Sequence, residues 1–213
     1  MAINLGENPW ILISLIFLEF LLIIIPALVS SKLEKRPFQD IIKEMGFQKD
    51  NDLLIKIISG ISLGIIFFFL GTYIIIFFRD FIVKNLFGSD FVKTGKEGTI
   101  STGPMQPNTT QLVILIILNL IITGPCEEAF FRGFLIKKFE IKFKMSYSTF
   151  FSSIIFTLYH IPPFLVPITT IVTYFGYYFA FGVLLSLVFV YFKYSLIPCS
   201  IAHSCFNILI LLI

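Results

Sequence analysis

An all-α polytopic membrane bundle of about six to eight transmembrane helices is the fold class this sequence predicts. Three observations carry that expectation. Hydrophobic residues make up 57% of the 213, with 27 Phe, well above the apolar share of soluble domains. Residues 10–29 and 53–78 are apolar almost without interruption, each run long enough to cross a hydrocarbon layer of ~30 Å. The net charge is only +3, and the basic residues sit in short loops beside the apolar runs, a pattern of topology signals and not of a nucleic-acid surface.

Residues 1–9 contain no Lys or Arg, and the run after them is too long for the apolar centre of a secretion signal, so 10–29 reads as a retained first span. Breaks at 30–52, 79–110, 137–147, Ile161-Pro162-Pro163 and 193–195 set off the further runs 53–78, 111–136, 148–160, 164–192 and 196–213. Gly124-Pro125 interrupts the third run, and the fifth has room for a short helix before a full one. Residues 1–110 then form two N-terminal helices with their loops, and 111–213 a second group of helices. No internal repeat relates the two, which argues against an inverted-repeat transporter.

Loop charges set the orientation. Lys32, Lys35, Arg36, Lys43 and Lys49 precede the second run, Lys137, Lys138, Lys142 and Lys144 follow the third, and Lys193 precedes the last. With the third run as one crossing, all lie on one side, which the positive-inside rule makes cytoplasmic, with both termini outside, although Arg79, Lys84, Lys93 and Lys96 of the 79–110 loop argue weakly the other way. The 79–110 loop reads as a flexible connector, although it is long enough for a lid. Residues 137–147, basic and aromatic in alternation, read as an interfacial segment. Asn108-Thr109-Thr110 matches a glycosylation sequon but lies beside a span. Gly60 with Gly64, and Gly182 with Ser186, make small faces that let helices approach closely. Cys126, Cys199 and Cys205 all fall in apolar segments, and an odd count there does not suggest a disulfide framework.

Ionised residues at mid-bilayer cost at least ~2.5 to 3.5 kcal/mol and so face partners or wet cavities. Glu127, Glu128 and Arg132 require such an account. Glu128 and Arg132 are four apart and can pair on one helix face, while Glu127 points about 100° away. Arg132 can therefore neutralise Glu128, which leaves Glu127 free to face a cavity. The two histidines, His160 and His203, also lie in apolar runs. His203 shares a face with Asn207, and His160 with Phe156. One Glu, two His and an Asn on three runs are parts for water activation and oxyanion stabilisation, and Glu127, His160 and His203 are equally three zinc donors.

Glu127-Glu128-Ala-Phe-Phe-Arg132 fits an EExxxR motif, Phe156-Thr-Leu-Tyr-His160 an FxxxH motif and His203-Ser-Cys-Phe-Asn207 an HxxxN motif, in that order. With Arg132-Gly-Phe-Leu continuing the first, residues 111–213 resemble the CAAX protease and bacteriocin-processing (Abi) family of intramembrane endopeptidases. The resemblance implies that Glu127 is the general base that polarises water with His160, that His203 and Asn207 stabilise the oxyanion, and that Glu128, Arg132 and Phe156 support the site. It implies a peptide or membrane-protein substrate; the loop charges speak against a nucleic-acid partner, and richness in Ile, Phe, Lys and Asn points to a multi-pass place in a prokaryotic cell membrane.

Two other classes share these features: a non-catalytic bacteriocin-immunity protein of the same fold, and a proton-coupled transporter built on buried Glu, His and Arg. A cysteine nucleophile at Cys126 lacks a histidine placed by local spacing. Metal-free glutamate catalysis is the favoured route, because no compact HExxH arrangement marks a zinc site. Zinc held by Glu127, His160 and His203 is the alternative.

Overall fold

The computed structural model describes residues 3–4, 13–14, 17–47, 52–101 and 108–212. Eight helices occupy these residues: α1 (Leu21–Glu34), α2 (Phe38–Glu44), α3 (Leu53–Phe87), α4 (Ser89–Glu97), α5 (Thr109–Glu140), α6 (Met145–His160), α7 (Ile168–Tyr191) and α8 (Leu196–Leu212). A two-residue parallel pairing of β1 (Ile3–Asn4) with β2 (Ile100–Ser101) is too short to alter the all-α class. By length and composition α3, α5 and α7 can each cross a membrane, and α8 is apolar but shorter. The chain is an integral membrane protein. Residues 10–12 and 15–16 of the first apolar run, and Lys49 of the first loop, lie outside the described residues.

Two boundaries differ from those expected. The helix over the second apolar run, α3, does not stop at Phe78 but runs on to Phe87. Arg79 and Asp80 neutralise each other through two 2.8 Å hydrogen bonds, so charged residues do not end it, and a π-helical stretch over Ile76–Val83 carries it onward. The former connector is thus mostly helical, since α4 follows at once. Gly124-Pro125 does not break α5 either. A proline without N–H deprives an upstream carbonyl of its donor. Here Asn119–Thr123 widens to a π-turn, in which Gly124 N–H donates to Asn119 O and the helix passes Pro125 unbroken. The 164–192 run forms one helix, α7, after a turn. Asn108 is the N-cap of α5, with a capping box to Gln111.

Small residues set the helix spacing. A Cβ on Gly60 would meet Ile201 and Pro198 O within 3 Å, and one on Gly64 would meet Cys205 and Ala202 O. Helix α3 therefore packs backbone-close against α8 along the Gly60/Gly64 face, the most extensive helix pair among the described residues. Gly182 plays the same part between α7 and Ser153 of α6. Phe131, Phe156, Phe181, Phe189 and Phe206 fill the core among α5, α6, α7 and α8.

Candidate active site

The three sequence motifs converge in the middle of this core. Glu127, Glu128 and Arg132 stand on α5, where a second π-helical segment, Ala129–Ile136, begins beside them. Such bulges are frequent at functional sites. His160 is the last residue of α6, and His203 and Asn207 lie on α8. Glu127, Glu128, Arg132 and His203 are buried.

Arg132 Nη1 donates to Glu128 Oε1 at 3.0 Å and Nη2 to Gly182 O at 3.1 Å. Its guanidinium lies 4.4 Å from the Phe156 ring centre. His203 Nδ1 reaches the same Glu128 oxygen at 2.8 Å, a contact between α5 and α8 that local spacing does not reveal. Glu128 thus serves two partners, and the Phe156 ring meets His160 at a tilt and His203 edge to face.

Glu127 makes no such bond. Its Oε2 is buried without a hydrogen-bond partner among the described residues, 3.6 Å from His160 Nε2 and 3.9 Å from His203 Nε2. The other ring nitrogen of each histidine is committed. His160 Nδ1 lies 2.9 Å from Phe156 O, and a carbonyl only accepts, so Nδ1 bears the proton; Glu128 Oε1 imposes the same tautomer on His203. In the neutral rings both Nε2 atoms then carry lone pairs. Three acceptors face one point, a place for a donor such as water or for a cation.

Donor atoms of Glu127, His160 and His203 lie within 4.8 Å of one another, and the 3.6 and 3.9 Å from Glu127 Oε2 to the two Nε2 atoms are separations that two ligands ~2.0–2.2 Å from one central ion can have. The Nδ1 contacts are of the kind that orient metal-bound histidines. These residues fit zinc.

Asn207 stands one turn beyond His203, and its Nδ2 donates to Asn119 Oδ1 at 3.2 Å. Asn119 Nδ2 in turn donates to Leu115 O, and Ser204 Oγ to Asn119 O. Asn119 was not singled out by its sequence, although a lone amide in an apolar run is a signal of the same kind as His160 or His203. Tyr178 of α7 covers His160, ring centres 5.0 Å apart. Cys126 is buried and unpaired as a disulfide.

A membrane helix bundle with a buried Glu-His-His centre defines the class. Residues 109–209 match the family described as Type II CAAX prenyl endopeptidase Rce1-like. That stretch of the chain is a domain of this membrane endopeptidase family. No curated protein and no solved structure matches the chain.

Proposed function

We propose that the protein is an intramembrane endopeptidase that hydrolyses peptide bonds of membrane-associated peptides or proteins with water activated by Glu127 and His160. The carrying observation is the unpartnered Glu127 Oε2 facing two histidine Nε2 atoms at 3.6 and 3.9 Å. Water between them donates its protons to the carboxylate and to His160. Glu127 takes one proton, the hydroxide oxygen bonds to the peptide carbonyl carbon, and the carbonyl π pair moves to oxygen. Asn207 has a second N–H free of its bond to Asn119 and donates it to that oxyanion; His203 contributes when its Nε2 carries a proton. As the tetrahedral intermediate collapses, the C–N bond breaks and the amine takes the proton from Glu127. Positioned acid-base groups of this kind supply ~10²–10⁴ in rate, and one oxyanion donor ~10²–10³.

Zinc is a second reading, favoured by the clustering of the three donors. Bound by Glu127, His160 and His203, zinc would acidify water and polarise the carbonyl. Glu128 and Phe156 O would orient the two rings in either case.

Peptide mass spectrometry of membranes from cells with the wild-type protein and with Glu127→Gln tests the activity. Peptides that depend on Glu127 support it and identify the cleaved bond. Identical peptide sets, with both proteins stably inserted, would favour the non-catalytic immunity role.

A further inference from the structure

The first apolar run carries a carboxylate, Glu19, outside the segment that matches the endopeptidase family. A charge there needs a partner or a purpose. Its Oε1 accepts a hydrogen bond from the Tyr159 hydroxyl at 2.8 Å. Its Oε2 is buried without a hydrogen-bond partner among the described residues. Tyr159 directly precedes His160, and their rings meet edge to face with centres 5.4 Å apart. Tyr159 also leans on Phe131 of α5 at 5.5 Å.

These contacts fall in the last turn of α6. The helix ends at His160, and Ile161 leaves helical geometry with φ −129°; last turns fray because their carbonyls lack donors. His160 Nδ1 is tied to Phe156 O, but that bond is internal to α6. The Tyr159–Glu19 bond instead fastens the same turn to a different segment of the chain.

We propose that Glu19 is a positioning residue of the site, supplied by the N-terminal half of the chain. By holding the Tyr159 hydroxyl it fixes the last turn of α6, and with it the place of His160 relative to Glu127. The catalytic consequence rests on the endopeptidase reading, whereas the positioning itself does not, so the test reads position and not turnover.

Wild type, Glu19→Gln, Glu19→Leu and Tyr159→Phe are purified full length in detergent, their melting checked, and treated with diethylpyrocarbonate. Mass spectrometry follows modification at His160 and His203. His160 has 22% of its side chain exposed against 5% for His203. Glu19→Gln keeps an acceptor oxygen and should react as wild type. Glu19→Leu and Tyr159→Phe should speed modification of His160 by about fivefold, the population change of one net hydrogen bond, and leave His203 unchanged. Tyr159→Phe retains the ring and so separates the bond from packing. Equal His160 rates in all four proteins overturn the proposal, as does equal acceleration at both histidines, which is general loosening. A negative peptide comparison for Glu127→Gln would overturn the protease and leave this result standing.

Discussion

Arg132 Nη1 and Glu128 Oε1 stand 3.0 Å apart with both side chains wholly buried. The same pair reaches α7 through Gly182 O, α6 through the Phe156 ring and α8 through His203. One ion pair thus joins four helices at the level of the site. Removing one member of a buried pair costs ~3 to 5 kcal/mol because the other charge is left uncompensated. Arg132→Ala should therefore melt far below wild type in detergent. Glu127→Gln, close in shape and outside the pair, should melt with wild type yet lose turnover. Equal melting of Arg132→Ala and wild type would mean that the pair contributes nothing to stability.

Asn207 owes its orientation to Asn119, which accepts one of its two N–H groups. Replacing Asn207 by Ala removes a proposed oxyanion donor and should lower turnover by ~10²–10³. Asn119→Ala only frees the amide to rotate and should cost less, with Asn119→Asp restoring the acceptor. Initial rates on a peptide identified by the membrane comparison decide this. An Asn119→Ala rate at the wild-type level would dissociate Asn119 from the site.

The helical membrane class was legible because apolar runs of spanning length admit few alternatives. The i, i+4 rule also put Glu128 beside Arg132, where the pair is found. What the sequence withheld is non-local. His203 bonds Glu128 across 75 positions and Asn207 bonds Asn119 across 88, separations at which no periodicity operates. Glu19 and Asn119 were visible as lone polar residues in apolar runs, but their partners were not. Gly124-Pro125 and Arg79-Asp80 misled for a different reason: breaker and charge signals assume α-helical geometry in water, whereas π-turns and a mutual ion pair absorb both.

Loop charges and loop contacts agree on one side of the molecule. Lys138 pairs with Glu34, and Lys137 Nζ donates to Glu44 O, so the α1–α2 corner and the C-terminal end of α5 lie together. Cysteines replacing Lys43 and Lys142 should be labelled by the same impermeant reagent from the same side, and the positive-inside rule makes that side cytoplasmic. Labelling from opposite sides would refute the shared face, and joint labelling from outside would reverse the orientation.

Glu34 also gives this corner a pH dependence. The hydrogen bond from Lys138, with Arg36 adding to it, holds the Glu34 carboxyl below its usual range. A depressed carboxyl stabilises the fold above its unfolded value of ~4.3, and that stability is lost as pH falls through the lower folded value. The pair is solvent-exposed, so its contribution is well under ~1 kcal/mol. Wild type should melt slightly above Glu34→Gln at pH 7, and the gap should close on acidification toward pH ~3. A gap that persists or widens in acid would contradict the assigned sign.

The final prediction concerns metal dependence, where one geometry serves two chemistries. Glu127, His160 and His203 converge closely enough to hold zinc, and each histidine has its Nδ1 oriented by an acceptor. The same tautomers leave two lone pairs and a carboxylate that can accept both protons of one water, which suffices for metal-free general-base catalysis. Asn207 favours the metal-free route, because an amide N–H beside His203 is a natural oxyanion donor and a poor zinc ligand. On that route, exhaustive chelation of the purified protein should leave cleavage of the identified peptide unchanged, with far less than one zinc per chain by elemental analysis. Stoichiometric zinc, with activity lost on chelation and restored by zinc alone, would replace metal-free catalysis by the zinc mechanism. Glu127→Gln then separates the two again: it should weaken zinc retention in the metal enzyme, and in the metal-free enzyme it should abolish turnover with no change in metal content.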